Sequence, residues 1–238
     1  VASWVISPLT AGIIAYGVFY SIKRLILVQE RPFKRAKKIA PYYVFVAVTL
    51  IVLVTLFKGL KHVGLELSLL ESYSLALLSG CVGGWLSWLA IGMVRIDDNV
   101  RRHFEHKKVE TVFAILMIFT ACTMAFAHGS NDVANAIGPI AAVVSIANSG
   151  SVMQNSELPV WILIVGALGI VVGLGTYGKH VIKTVGSHIT QLTPVRGFSA
   201  EIAAAFTIVA ASGTGMPVST THTLIGAVLG VGMVKGSQ

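Results

Sequence analysis

The chain has 238 residues, of which 55% are hydrophobic and 12% are charged, and its formal net charge is +8. Soluble domains carry about 25% charged residues, so half that proportion, combined with apolar runs near the length of a bilayer crossing, excludes an ordinary soluble domain. The composition predicts an all-α, polytopic transmembrane protein in a lipid bilayer. Because the basic residues flank the apolar runs, as they do in membrane loops, no nucleic acid is expected as a partner.

The first 110 residues are predicted to form a central transmembrane and linker region. Its apolar runs predict three membrane spans, at about 9–28, 42–57 and 73–94. Three glycines of the third span are expected to let it pack closely against a neighbouring helix. We interpret segments 29–41 and 95–110, which follow the first and third spans, as basic loops.

The distribution of basic residues predicts the orientation of the chain. Loops 29–41 and 95–110 hold ten of the 18 Lys and Arg residues, loop 58–72 holds two, and loop 148–159 holds none. Loops rich in Lys and Arg remain in the cytoplasm. The first two loops are therefore expected inside and the other two outside, in a cell membrane that is either a plasma membrane or a bacterial inner membrane.

A long apolar segment, 111–147, is interrupted by residues that disfavour a helix in hydrocarbon. Gly129, Gly138 and Pro139 are poor helix formers, and the polar side chains among them are costly to bury without partners. Non-helical backbone at membrane depth is tolerated where it lines a wet cavity or is buried in protein, so the sequence predicts a broken helix. Because its 37 residues would extend about 55 Å as a helix, the segment either kinks or tilts across the membrane or folds back on itself.

Polar oxygens in this break predict a cation site. Asn131, Asp132 and Asn135 supply carboxylate and carboxamide oxygens, which suit a hard cation such as Na⁺. Asp132 and Asn135 lie three residues apart and share a face wherever the backbone is helical. The alternative is a satisfied polar contact between helices, but an intramembrane carboxylate is by default a functional group.

The last part of the chain predicts one more span, 160–178, and a re-entrant helical hairpin, 201–234. The hairpin consists of two apolar runs, 201–212 and 220–234, and neither is long enough as a helix to cross hydrocarbon about 30 Å thick. A tip rich in Gly, Pro and hydroxyl residues joins the two runs. We therefore expect both ends of the hairpin on one side of the membrane.

Three consecutive hydroxyl residues, Ser219, Thr220 and Thr221, open the second helix of this hairpin. A helix N-terminus presents free N–H groups and a partial positive charge, which bind anions. Because the tip holds no acidic residue, an oxyanion is expected there rather than a cation. The alternative is an ordinary helix cap, which is the weaker interpretation for three hydroxyls beside Gly and Pro.

Four further polar residues have less specific interpretations. Glu201, at the entrance of the hairpin, is either a helix-start carboxylate or a second cation ligand. His128 and His222 are interpreted as packing or hydrogen-bonding groups. Arg196 is interpreted as an interfacial residue that extends its guanidinium group to water.

Two stretches closely resemble signature motifs of the inorganic phosphate transporter (PiT) family: 129–136, Gly-Ser-Asn-Asp-Val-Ala-Asn-Ala, and 217–222, Pro-Val-Ser-Thr-Thr-His. Segments 175–178 and 193–201 look like the connecting region of that family, in the same order. Members of the family import phosphate with Na⁺ or H⁺. They have two inverted repeats, each with one such Asn-Asp string and one Ser-Thr-Thr hairpin.

The resemblance, taken with the chemistry above, implies a site for each ion. The residues predicted to bind phosphate are Ser219, Thr220, Thr221, Asn131 and Asp132. The residues predicted to bind the coupling cation are Asp132, Asn135, Asn131 and Glu201. No cofactor is expected beyond the coupling ion itself, Na⁺ or H⁺.

The chain contains one Asn-Asp string and one Ser-Thr-Thr tip. It is therefore expected to be half of an inverted-repeat transporter, with a second repeat at 111–238 behind the central region 1–110. The first residue, Val1, is not Met, which agrees with a fragment or a processed product. The missing first repeat, or a second copy of the chain in a homodimer, is expected to supply the remaining ligands.

The predicted function is cation-coupled transport of inorganic phosphate as part of a longer transporter. The alternatives are an oxyanion channel that uses the same polar breaks as a filter and a non-transporting, phosphate-sensing relative. An intramembrane enzyme using Ser219 or His222 is disfavoured, because the sequence has neither a nucleophile elbow nor a His-Glu-x-x-His zinc pair. The chain is therefore predicted not to be an enzyme.

Overall fold

The computed structural model describes the backbone of residues 2–56, 68–93, 102–149, 159–213 and 218–236. Within these ranges the fold is all-α, as the composition predicts, with seven α-helices. They are α1 (Ala2–Ile22), α2 (Pro32–Val54), α3 (Leu69–Met93), α4 (Arg102–Ser149), α5 (Val160–Thr184), α6 (Pro194–Gly213) and α7 (Thr220–Gly236). Short π-helical turns, Lys23–Leu27 and Val185–Ile189, extend α1 and α5.

Five helices among the described residues are long and apolar enough to cross a membrane. Four of them, α1, α2, α3 and α5, overlap the predicted spans, although α1 and α2 begin earlier than predicted and α5 ends later. The fifth, α6, lies where the sequence predicts one half of a re-entrant hairpin. The described helices thus confirm the polytopic all-α class.

The segment predicted as the basic loop 29–41 is mostly helical. α2 begins at Pro32, where the fixed φ and missing N–H of proline suit a first helical position. Phe33, Ala36 and Ala40 recur at helical spacing and are buried, so one face of this basic segment packs on the core. That apolar face, which the charges obscure in the sequence, is what makes the segment an amphipathic helix start.

The predicted break in 111–147 is wrong for the backbone. α4 is one α-helix of 48 residues that runs through Gly129, Gly138 and Pro139, so the segment does not fold back on itself. Glycine costs about 1 kcal/mol and proline about 3 kcal/mol in a helix. Unwinding several residues at membrane depth would cost more, because each freed N–H and C=O group would need a new partner.

The first helix of the hairpin is longer than the sequence predicts. α6 begins at Pro194, and its 20 residues are enough for a candidate membrane span, since they extend about 30 Å. α7 has 17 residues and extends about 25 Å. The two helices do pack against each other as a helical hairpin. Re-entrance into the membrane from one side remains a prediction.

α1 and α7 form the most extensive helix pair of the described residues, and they run parallel. Gly226 lies against the backbone of Pro8, and Gly230 lies against the backbone of Gly12. The contact therefore advances by four residues on both helices. A Cβ atom at either position of α7 would clash with backbone atoms of α1, so this is the close, small-residue packing that membrane helices use.

α3 packs antiparallel on α2 through the three glycines that the sequence predicts for close packing. A Cβ atom at any of them would meet an atom of α2 at 3.2 Å or less; they are Gly80, Gly83 and Gly84. Near the other end of this pair, Lys37 Nζ donates a hydrogen bond of 3.2 Å to the Gly92 carbonyl. The start of α2 and the end of α3 therefore lie at the same level.

α4 and α6 run parallel, and aromatic rings join them to α2. The backbone N–H of Val195 donates to Glu110 Oε2 at 3.1 Å, and the rings of Phe113 and Phe198 lie 5.3 Å apart, edge to face. The ring of Tyr43 on α2 lies 6.3 Å from both phenylalanine rings. Because these contacts advance together along both helices, the first turns of α4 and α6 are level.

These contacts gather six helix ends at one side of the structure, which we call the basic end: α2, α4 and α6 begin there, and α1, α3 and α7 end there. The Phe33 N–H donates to Glu105 Oε2 at 3.3 Å, which joins the starts of α2 and α4. Lys23 Nζ donates to the Val234 carbonyl at 3.2 Å, which joins the ends of α1 and α7. The two basic segments predicted for one side of the membrane are therefore neighbours.

Candidate functional site

The Asn-Asp string lies on α4, and its backbone is helical. The side chains of residues 130–136 are outside what the structure describes, so Asn131, Asp132 and Asn135 are located by their backbone alone. On a helix, Asp132 and Asn135 share one face. Their assignment to a cation remains a prediction.

Ser219 caps the helix that carries the predicted anion site. α7 begins at Thr220, and Ser219 Oγ accepts a hydrogen bond of 3.3 Å from the backbone N–H of His222. A side-chain oxygen that satisfies an N–H group of the first turn is the arrangement of a helix N-cap. Ser219 thus acts as a helix cap, as the alternative interpretation predicts. Its hydroxyl hydrogen is still available to donate to a ligand.

Burial separates the three hydroxyl residues of the tip. Thr220 is 1% exposed, whereas Ser219 is half-buried and Thr221 is exposed. The side chain of Thr220 therefore packs within the structure. Of these three residues, Ser219 and Thr221 have hydroxyls that a ligand can reach from outside the described helices. The preceding residues 214–217 lie outside the described part of the chain.

The parallel arrangement of α4 and α6 brings the string and the tip to the same level. Thr120 on α4 donates a hydrogen bond to Glu201 on α6. Asp132 and Gly213 each lie 12 residues further along the same two helices, a rise of about 18 Å. The Asn-Asp string is therefore level with the end of α6, from which the chain continues into the tip.

The hydrogen bond to Thr120 also places Glu201 far from the other predicted cation ligands. The carboxylate of Glu201 is half-buried and accepts from the Thr120 hydroxyl, which is buried. This pair lies about 18 Å along α4 from Asp132. Sequence reasoning missed Thr120, because the run 111–127 also holds Thr111 and Thr123 and only the packing of α4 on α6 distinguishes it from them.

A small cavity adjoins the tip on the side of α1. Its volume is about 180 Å³, and its lining includes Ser7, Thr10 and Val218. Ser7 is 3% exposed, and its hydroxyl has no hydrogen-bond partner among the described residues. Val218 directly precedes Ser219, so this polar group lies close to the predicted anion site. Sequence reasoning missed Ser7 because its position depends on how α1 packs against α6.

The interpretations of the remaining polar candidates stay predictions. His222 is exposed and His128 is half-buried. Arg196 Nη1 donates to the Gln191 carbonyl at 2.7 Å, and its guanidinium carbon lies 5.7 Å from the centre of the Phe19 ring. Within the side chains that the structure describes, no group of three or more His, Cys, Asp or Glu residues could hold a metal ion.

Comparisons with known proteins agree on one family. A profile of the phosphate transporter family matches residues 1–238. A Haemophilus influenzae protein named "Putative phosphate permease" is 50% identical over 237 residues, which are 99% of this chain and 56% of that protein. "Inorganic phosphate transporter 2-1, chloroplastic" of Arabidopsis thaliana is 35% identical over 269 residues, which cover 99% of this chain and 43% of that protein.

A solved structure named "The sodium-dependent phosphate transporter" has the same fold. It is 35% identical, the TM-score is 0.81, and the match covers 100% of this chain and 57% of that one. The chain thus spans about half the length of the relatives named here.

Proposed function

Because the chain belongs to the phosphate transporter family, we propose that it forms one part of a longer membrane transporter that moves inorganic phosphate together with a cation. This family consists of transporters and not of enzymes, and the chain is a multi-pass membrane protein. One observation supports the proposal: the parallel packing of α4 with α6 brings the end of α6, which precedes α7 in the chain, near the level of the Asn-Asp string, and α7 begins with reachable hydroxyls.

The proposed phosphate site is the N-terminus of α7. N–H groups of the first helical turn and the partial positive charge of the helix attract an anion. Ser219 and Thr221 add hydroxyl donors, while Thr220 supports the site from the packed side. Asn131 and Asp132 complete the proposed phosphate set from α4. A site built from neutral donors also avoids burying a cationic side chain, which is costly without a partner.

The proposed cation site uses Asp132, Asn131 and Asn135. A phosphate ion and a cation that bind at the same level attract each other, and this attraction is stronger in a dry site than in water. Each ion therefore raises the affinity for the other, which is the thermodynamic basis of coupling. The name of the solved relative supports Na⁺ as the coupling ion, with H⁺ as the alternative. Glu201 is proposed as a separate cation ligand, at the level of Thr120.

The proposed domain division assigns the second repeat to 111–238 and a central region to 1–110. α1 packs against both helices of the hairpin, so the central region supports the repeat directly. The rest of a longer protein, or a second copy of the chain, would supply the ligands that face this site from the other half.

Substitutions at Ser219 separate capping from phosphate binding. Asp caps a helix about as well as Ser, so Ser219→Asp should keep the fold stable, yet its charge should weaken phosphate binding by more than tenfold.

Thr221→Ala should raise the phosphate half-saturation constant roughly 10- to 150-fold, since it removes one hydrogen bond worth about 1.5–3 kcal/mol. Thr221→Ser should be milder. Phosphate titrations of uptake and melting temperatures, in a protein that carries both repeats, measure these effects.

Three outcomes would contradict the proposal in distinguishable ways. Wild-type phosphate affinity in both Ser219→Asp and Thr221→Ala would reduce the tip to a helix cap. Flux that does not saturate with phosphate, and has no fixed ratio of cation to phosphate, would favour the oxyanion channel. Phosphate binding without flux would favour the phosphate-sensing relative.

A further inference from the structure

A cluster of cations lies at the basic end, at the opposite end of α6 and α7 from the hairpin tip. It lines a shallow cavity of about 500 Å³ beside the start of α2, together with Gln29 and Glu30. The four cations are exposed, and they are Arg31, Lys34, Arg35 and Lys38. The spacing of Lys34, Arg35 and Lys38 puts these three on one face of the helix start, and Arg31 directly precedes the helix.

This cavity lies at the membrane–water boundary. The candidate spans Ser3–Leu27 and Pro32–Leu53 are separated by four residues, so the first turns of α2 cannot extend far from the bilayer. The opposite face of these turns is anchored by Phe33, which is buried. The Nζ atoms of Lys37 and Lys108 lie 5.9 and 5.6 Å from the centre of its ring.

The cationic face of α2 becomes apolar as the helix enters the span. Tyr42 is 72% exposed and Val46 is 44% exposed, and they follow Lys38 by four and eight residues, which continues the same helix face. A phospholipid has this order of chemistry, with an anionic headgroup followed by an acyl chain. A free phosphate ion would use the cations but not the apolar strip.

We propose that this cavity binds the headgroup of an anionic phospholipid, whose acyl chain lies along Tyr42 and Val46. Arg and Lys donate charge-assisted hydrogen bonds to phosphate oxygens, and basic groups beside a membrane surface attract anionic lipid. The four cations outnumber the single carboxylate of Glu30 in the lining. The proposal concerns a lipid at the basic end and is independent of phosphate transport through the hairpin tip.

The test is lipid binding to the purified chain in detergent, measured by native mass spectrometry during titration with phosphatidylglycerol or phosphatidylcholine. We expect the chain to retain phosphatidylglycerol in preference to phosphatidylcholine. Lys34→Gln combined with Lys38→Gln should weaken phosphatidylglycerol binding about thirtyfold, whereas Lys34→Arg combined with Lys38→Arg should retain it.

The matched control is Lys179→Gln combined with Lys183→Gln. These are also two exposed lysines four residues apart near the end of a candidate span, and this variant should bind the lipid as the wild type does. Equal helicity of all variants by circular dichroism excludes unfolding as the cause. Equal retention of both lipids, an equal loss in the control variant, or displacement of phosphatidylglycerol by inorganic phosphate would each overturn the proposal.

Discussion

At the scale of single residues, a carboxylate and a hydroxyl hold α4 and α6 in register. The Thr120 hydroxyl donates to the half-buried carboxylate of Glu201. A hydrogen bond to a charged group contributes about 1.5–3 kcal/mol, so the pair favours this one alignment of the two helices. That alignment brings the Asn-Asp string near the level of the end of α6.

The separation of Glu201 from Asp132 predicts independent effects on the cation. Asp132→Asn should weaken cation dependence and uptake strongly with the fold retained, and Glu201→Gln should weaken cation affinity by a separate factor. Because free-energy changes add within about 0.5 kcal/mol for distant sites, the double variant should show the product of the two factors. Cation titrations of uptake in a protein with both repeats measure all three variants.

A contacting pair provides the comparison for this cycle. Glu201→Gln and Thr120→Val change two groups that share a hydrogen bond, so their effects should not add. If Asp132→Asn and Glu201→Gln instead gave a double variant no worse than the stronger single one, one ion would be bound by both carboxylates. Unchanged cation activation in Asp132→Asn would remove Asp132 from the cation site altogether.

At the scale of elements, the absence of side chains at Gly226 and Gly230 sets the distance between α7 and α1. Gly226→Ala or Gly230→Ala should destabilise the protein by about 1–3 kcal/mol, since the added methyl group forces apart two backbones in contact. Thermal unfolding in detergent, followed by circular dichroism, measures the change.

Gly173 on α5 serves as the matched control for these glycines. A Cβ atom there would have no described atom within 4 Å, so Gly173→Ala should raise stability by up to about 1 kcal/mol through helix propensity alone. Equal melting temperatures for Gly226→Ala and Gly173→Ala would contradict the close packing of α1 on α7.

At the scale of the whole molecule, the arrangement of helix ends predicts sidedness. The basic end should face the cytoplasm, because both basic segments meet there. With Cys81 and Cys122, which are exposed, replaced first, a cysteine at position 153 should react with a membrane-impermeant reagent added from outside. Cysteines at positions 35 and 102 should stay protected.

Permeabilised membranes provide the control for this labelling, since positions 35 and 102 should then react. Label at 35 and 102 in intact cells, with protection at 153, would reverse the orientation. Label at all three positions in intact cells would contradict a fixed orientation.

The sequence by itself determined the class of the protein and the residues proposed for its site. Few charges and long apolar runs predict a membrane protein. Its spans are predicted to be helices, because hydrocarbon requires every backbone N–H and C=O group to be paired within the chain. The Ser-Thr-Thr helix start was likewise predictable, because it depends on residues adjacent along the chain. The glycines of α3 predicted close packing but not its partner, α2. The prediction from local helix propensity was wrong at 128–139. Gly and Pro predicted an unwound helix there, whereas α4 is continuous.

Tertiary structure decided what depends on residues far apart in the sequence. The parallel packing of α4 with α6 fixes the level of Asp132 relative to the end of α6, and the glycine contact fixes α7 on α1. The burial of Thr220 and the placement of Ser7 beside the tip follow from that packing and not from local preference. A hydrophobic or small-residue pattern predicts that one face of a helix is buried, but it does not identify which neighbouring helix covers that face. The choice of partner helix, and of register along it, is made by the fit of specific side chains when the helices meet.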